Sequence, residues 1–271
     1  MNSNLPKVLQ PLGGSTLISH VIHTAQKISD DITVVVGHQK DILKTYIENH
    51  HPLVNSADQN EQLGTGHALK TAAHLITPSQ KVLILYGDVP LISEPTIHKL
   101  IFEGDQCCLL SMVLSDPTGY GRVIKNTSGH AVKITEQKDA SEEEQKISEV
   151  FTGTMLVDGG LLVDALEGLE NNNAASEYYL TDIVEILSTK RVKINCIQAN
   201  PQEVIGVNNK KELHHVESIL RTMNAEKLLD QGITLTDATR VDLRGELNAG
   251  KDCSIDVNVI IEGTVTLGEN V

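Results

Sequence analysis

Val82-Leu-Ile-Leu-Tyr-Gly-Asp-Val-Pro90 reads as a buried strand that ends on a carboxylate. Four apolar residues in a row suit a strand covered on both faces, the habit of a parallel sheet flanked by helices. Tyr86-Gly87-Asp88 then breaks the run, and Pro90 lacks the N–H that a central ladder needs. Asp88 thus falls at the carboxyl end of a core strand, where open α/β sheets bind their ligands. Read alone, Gly87-Asp88 is equally an ordinary turn, and the flanking sequence has to choose.

Outward from this stretch, helical and extended patterns alternate. Leu17, Ile18, Val21, Ile22, Ala25 and Ile28 recur at helical spacing. A short strand over 31–37 and a helix over 40–50 follow. A helix over 65–75 precedes the 82–87 strand, and a helix over 93–103 and a strand over 107–114 come after it. This alternation predicts a doubly wound, Rossmann-like α/β sheet. From Gly129 the rhythm changes. Strands near 130–137 and 149–157 flank an acidic helix over 139–147, which predicts a mixed or antiparallel lobe. A helix over 180–189, a strand over 192–198 and a helix of about 20 residues from Lys210 complete the domain. Leu213, Val216, Ile219, Leu220 and Met223 give that last helix one apolar face, which packing alone explains.

The C-terminal stretch differs. Ile255, Ile261 and Leu267 recur every six residues, with Gly263 and Gly268 at corners. This is the pattern of a left-handed parallel β-helix, although an ordinary strand pair would also produce it. So few repeats do not make an independently stable coil.

Composition excludes several classes. The chain of 271 residues has 22 Lys plus Arg against 36 Asp plus Glu, a net charge of −14. Such a field repels nucleic acid and anionic lipid. No apolar run approaches a membrane span, and the first residues lack a secretory signal. Cys107, Cys108, Cys196 and Cys253 show no C-x-x-C spacing, as expected of a reduced cytoplasmic protein. The paired His50-His51 and His214-His215 lack zinc-ligand spacing.

Several segments together resemble one family, the bacterial bifunctional N-acetylglucosamine-1-phosphate uridylyltransferases/glucosamine-1-phosphate acetyltransferases. They are Leu5-Pro-Lys-Val-Leu9, Gln62-Leu-Gly-Thr-Gly-His-Ala68, Tyr86-Gly-Asp-Val-Pro-Leu91, Asp116-Pro-Thr-Gly-Tyr-Gly-Arg122, Glu177-Tyr-Tyr-Leu-Thr-Asp182, Gly206-Val-Asn-Asn209 and Asp242-Leu-Arg-Gly245. Each is weak alone, and their common order along the chain carries the likeness. The resemblance implies a uridylyltransferase domain over 1–209, a helical arm over 210–232 and the first turns of a left-handed β-helix over 233–271. It also implies a first strand and a Gly-rich loop ending in Gly-Thr-Arg, both missing here, so turnover is expected to be impaired. With the β-helix nearly all absent, acetyltransferase activity is not expected. A homotrimer is expected only where that β-helix is complete.

The implied reaction joins UTP and N-acetylglucosamine 1-phosphate, giving pyrophosphate and UDP-N-acetylglucosamine, a cell-wall precursor. A sugar phosphate oxygen is already anionic, so the work lies in aligning two polyanions and neutralising charge on the α-phosphoryl group. Mg²⁺ suits this, because it takes one or two protein oxygens and leaves the rest to phosphate and water. The resemblance assigns the metal to Asp88 and Asn208, and Lys7 to the triphosphate. Asn208 read alone would be a helix N-cap, and Lys7 a solvated surface residue. Gln59, Gly64 and Thr65 match the uracil-reading segment, with Tyr86 and Gly87 beside them. Gly121 and Glu136 match sugar-contacting positions. Two departures affect these assignments. Phe151 stands where the family has an Asn that contacts the sugar, and Phe cannot bond a hydroxyl, which puts sugar selectivity in question. Ile205 stands where the family often has Glu. Two other readings remain: a non-catalytic sugar-nucleotide-binding or interaction module, and a related hexose-1-phosphate pyrophosphorylase.

Overall fold

The computed structural model describes residues 1–271. In chain order the strands and helices are β1 (Pro11–Leu12), β2 (Ser15–Thr16), α1 (Leu17–Gln26), β3 (Thr33–Val36), α2 (Lys40–His50), β4 (Asn55–Asp58), α3 (Thr65–Ala72), β5 (Lys81–Ile84), α4 (Glu94–Glu103) and β6 (Cys107–Val113). They continue as β7 (Arg122–Lys125), β8 (Ala131–Thr135), β9 (Glu149–Asp158), α5 (Gly159–Glu167), α6 (Asp182–Thr189), β10 (Ile194–Gln198) and α7 (Lys210–Asp230). The last four strands are β11 (Thr234–Leu235), β12 (Val241–Ala249), β13 (Ser254–Ile255) and β14 (Val259–Leu267). No helix is long and apolar enough to cross a membrane.

The chain divides into two compact units. One comprises His23–Tyr86 and Ile92–Val204. Its six-stranded sheet runs β10-β6-β9-β7-β8, with β5 also on β9. Only β10 and β6 are parallel in it, every other pairing being antiparallel. A separate parallel pair joins β3 to β4. The 82–87 strand, read as one of a parallel sheet, therefore lies antiparallel to β9 in a mixed sheet. The 10-residue β9 causes this, accepting β6 along one edge and both β5 and β7 along the other. Val82, Leu83 and Ile84 accordingly are only half-buried, not covered on both faces.

The core of this unit lies where α5 and α6 pack on the sheet, with Leu162, Ala165, Ile183, Val184 and Leu187 against Leu109, Met155, Val157 and Ile194. Each large aliphatic side chain fully buried there contributes about 1.5–3 kcal/mol. The buried Cys107 and Cys108 are free thiols, and burial pushes Cys108 up to about 12. The acidic helix expected over 139–147 reduces to one 3-10 turn, Glu144–Lys146. Glu144 bonds instead to the N–H and hydroxyl of Ser141, both at 2.8 Å, and to the Thr135 hydroxyl at 3.0 Å. Short polar side chains that satisfy backbone locally compete with helix in this way.

The other unit comprises Met1–Ile22, Gly87–Leu91 and Ile205–Val271. Leu213, Val216 and Ile219 of α7 pack with Leu12, Leu17, Leu91 and Val207. Met223, placed on that apolar face from sequence, is exposed. Beyond α7, β12 and β14 pair in parallel, each residue beside the one 18 positions on, Val241 with Val259 through Ala249 with Leu267. That offset is three six-residue repeats. Leu243, Leu247, Cys253, Ile255 and Ile261 form the core of the segment.

Candidate functional site

The segments singled out from sequence form two clusters, one in each unit. In the unit containing the N-terminus, Lys7 opens a 3-10 turn, Lys7–Leu9, after Pro6. The turn is closed by Leu9 N–H to Pro6 O at 3.0 Å and Gln10 N–H to Lys7 O at 3.1 Å. From it the Lys7 ammonium reaches Asp88 Oδ2 and, at 2.9 Å, Asn208 Oδ1. Asp88 is fixed from the other side, its carbonyl accepting the Val207 N–H at 2.9 Å. Gly87 is closely packed, and a Cβ there would come within 2.7 Å of Ile18 Cδ1, which would have to turn aside.

The local alternative for Asn208 is excluded. The N-cap of α7 is Asn209, whose Oδ1 accepts the N–H groups of Lys211 and Glu212 at 2.9 and 3.0 Å. Glu212 reaches back and accepts the Asn208 N–H and the Asn209 side-chain N–H, both at 2.6 Å. Asn208 is thereby held by its backbone, and its side-chain oxygen faces the cation.

The second cluster is in the unit His23–Tyr86 and Ile92–Val204. Gln59 follows β4 and is buried, 8% exposed. Its Nε2 donates to Gly64 O at 3.0 Å and meets His67 Nδ1 at 3.2 Å. The Gly64–Gly66 loop is locked onto the segment 177–182. Tyr178 N–H bonds Leu63 O and Gly66 N–H bonds Tyr178 O, both at 2.8 Å. Leu180 N–H bonds Thr65 Oγ1 at 3.1 Å. Gly64 has φ +106°, and a Cβ there would lie 2.5 Å from Tyr178 O, so only glycine fits. Two segments recognised separately in sequence are thus one structural piece, and the Thr65 hydroxyl serves the loop.

Tyr86 lays its ring on Gly153. Gly121 faces Glu136, whose carboxylate oxygens would lie 3.4 and 3.5 Å from a Cβ on that glycine. Glu136 accepts the hydroxyl of buried Thr181 at 3.0 Å. Burial raises the Glu136 carboxyl above its usual range. Asp182, at the start of α6, is pushed up to about 6 by burial first and then by Glu185 and Glu136. Phe151 lies in the apolar core with Val123, Ile134 and Met155.

Sequence reasoning overlooked three contributors: His67, Thr181 and Arg122. Arg122 is only 1% exposed, against the rule that arginine is surface unless paired. Its guanidinium donates to Tyr120 O and, at 2.6 Å, to Gln137 Oε1, which also accepts the Gly119 N–H at 3.1 Å. The arginine therefore clamps the loop that carries Gly121.

Residues 1–133 match the family described as MobA-like NTP transferase domain. A putative glucose-1-phosphate thymidylyltransferase from Bacillus anthracis superposes with a TM-score of 0.59 at 18% identity, over 79% of this chain and 85% of that one. The chain therefore has a nucleotidyltransferase-like α/β fold.

Its sequence is also similar from end to end to particular proteins. It is 44% identical over 275 residues to bifunctional protein GlmU of Idiomarina loihiensis, covering 100% of this chain and 60% of that protein. It is 45% identical over 273 residues to bifunctional protein GlmU of Burkholderia ambifaria, covering 99% and 60%. The chain spans about 60% of the length of these relatives.

Proposed function

We propose that the chain is a nucleotidyltransferase that makes UDP-N-acetylglucosamine and pyrophosphate from UTP and N-acetylglucosamine 1-phosphate. The convergence of Asp88 Oδ2 and Asn208 Oδ1 on one ammonium carries the reading. Two oxygens that accept the same cation form a seat for a hard metal ion. One carboxylate and one amide oxygen suit Mg²⁺, which keeps its other positions for phosphate and water. Bound there, Mg²⁺ would neutralise negative charge growing on the phosphoryl oxygens.

The remaining roles are those the family resemblance implies, and the chemistry of each side chain is compatible with them. Lys7 supplies an ammonium to the triphosphate in a protein whose net charge is −14. Gln59 spends its Nε2 on Gly64 and His67, which leaves Oε1 as the atom for the donor edge of uracil. The close-packed glycine loop at 64–66 lets backbone approach the base. Glu136 accepts a sugar hydroxyl beside Gly121. The nucleophile is the sugar phosphate itself, so no general base is required, and alignment of the two substrates supplies most of the acceleration.

Domain limits at 1–209, 210–232 and 233–271 belong to the same proposal. The parallel offset of 18 residues between β12 and β14 supports reading the last segment as the start of a left-handed β-helix. Phe151 favours a looser sugar preference, because an apolar ring stands where the family places an amide. Mass spectrometry of a reaction containing UTP, Mg²⁺ and equal N-acetylglucosamine 1-phosphate and glucose 1-phosphate tests both points. UDP-N-acetylglucosamine as main product supports the proposal. UDP-glucose as main product would favour the related hexose-1-phosphate pyrophosphorylase.

A further inference from the structure

We infer that the Lys7 ammonium and a divalent cation are alternative occupants of the Asp88–Asn208 oxygen pair, so that metal enters only as Lys7 is drawn away. The inference rests on the proposed function for the identity of what draws Lys7 off. Its geometric basis is independent of that.

Lys7 donates to both oxygens that the metal would need. The ammonium takes one lone pair of each oxygen, and a second cation brought to the same oxygen pair meets direct repulsion. Asp88 and Asn208 are poorly placed to move aside. The Asp88 carbonyl is tied to Val207, and Asn208 is held through Glu212 at the mouth of a 21-residue helix. Lys7 is the mobile partner. Its backbone is fixed in the Lys7–Leu9 turn, and its four-carbon stem is flexible. Its side chain is 37% exposed, against 18% for Asp88, so it can swing outward. A polyanion such as a nucleoside triphosphate gives the ammonium a stronger partner than a single carboxylate and frees the pair for the metal. Metal and nucleotide then bind with positive coupling, and Lys7 transmits it.

The test measures Mn²⁺ binding by electron paramagnetic resonance, without nucleotide, in the full chain, in Lys7→Met and in Lys7→Met/Asp88→Asn. Thermal unfolding confirms that each variant is folded. Lys7→Met should bind Mn²⁺ about tenfold more tightly than the unmodified chain, because one unit of positive charge leaves the immediate vicinity of the ion. The double variant should lose that gain. Adding UTP should tighten Mn²⁺ binding by the unmodified chain and should alter it much less in Lys7→Met. Asp88-dependent Mn²⁺ binding that is no tighter in Lys7→Met than in the unmodified chain overturns the exchange while leaving the metal seat intact. Absence of Asp88-dependent binding in every form overturns the metal seat and the exchange together. Tight, Asp88-dependent binding in Lys7→Met without turnover in the unmodified chain sustains the exchange and counts against the proposed reaction.

Discussion

The hydroxyl of Thr181 donates to the carboxylate of Glu136 at 3.0 Å, linking the start of α6 to the strand end that faces Gly121. This bond favours the ionised carboxylate, while burial opposes it, and the balance lies above the usual carboxylate range. Thr181→Val removes the favourable half. Glu136 should then titrate at still higher pH, and KM for the sugar phosphate should rise several-fold near neutral pH while KM for UTP changes little. A pH profile of kcat/KM for each substrate measures this. An equal change for both substrates would contradict the assignment of Glu136 to the sugar.

Asp182 gives a pH prediction whose sign is fixed. Its pKa is raised from 3.8 to about 6, largely by burial, so the folded state holds this proton more tightly than the unfolded state. The associated stability is complete below about pH 4 and is lost as pH rises through about 6. Asp182→Asn should remove that loss, making the variant more stable at pH 7–8 by about 1 kcal/mol, a figure discounted because the group is only half-buried. Urea denaturation at pH 4 and pH 7.5 reads the difference. A variant equally destabilised at both would show that Asp182 holds the helix start by a specific contact instead.

Gly153 has φ +89°, and a Cβ there would stand 2.5 Å from the Tyr86 ring. Gly153→Ala therefore combines left-handed strain with a ring collision and should cost about 2–4 kcal/mol. Tyr86→Ala should relieve the collision but not the strain. In a double-mutant cycle the two changes should couple favourably, and simple additivity would place the ring elsewhere.

Arg122 is buried with its Nε unpartnered, so its burial rests on few bonds. Gln137→Leu removes one charge-assisted acceptor and should destabilise the protein by about 2 kcal/mol. The same change frees the Gly119 N–H and loosens the loop before Gly121, which should raise KM for the sugar phosphate. A stability change without a kinetic one would confine Arg122 to packing.

What could be read from sequence follows from where each signal lies. The helices over 40–50 and 210–230 were legible from apolar spacing, although the cap of α7 is Asn209 and not Asn208, and α2 has no side-chain cap. Strand direction was not, since four apolar residues at 82–85 describe burial and say nothing of whether β9 runs with or against them. β4, with the sequence Asn-Ser-Ala-Asp, carries no strand pattern, and α5 begins with two glycines that read as a break. In the site, Asp88 was visible as a carboxylate at a strand end. Lys7 lies 81 positions from Asp88 and 201 from Asn208, a relation that no local pattern encodes and only the likeness to a family supplied. Thr181 and Arg122 stayed hidden because their roles are contacts with Glu136 and Gln137, and composition does not announce a contact.

Pyrophosphate release by the chain and by Asp88→Asn, with UTP, N-acetylglucosamine 1-phosphate and Mg²⁺ each omitted in turn, tests the proposed reaction at Asp88 itself. Release should need all three components and should fall by about 100-fold or more in Asp88→Asn while thermal stability is unchanged. Release that persists in Asp88→Asn, or that proceeds without the sugar phosphate, would contradict the proposed reaction.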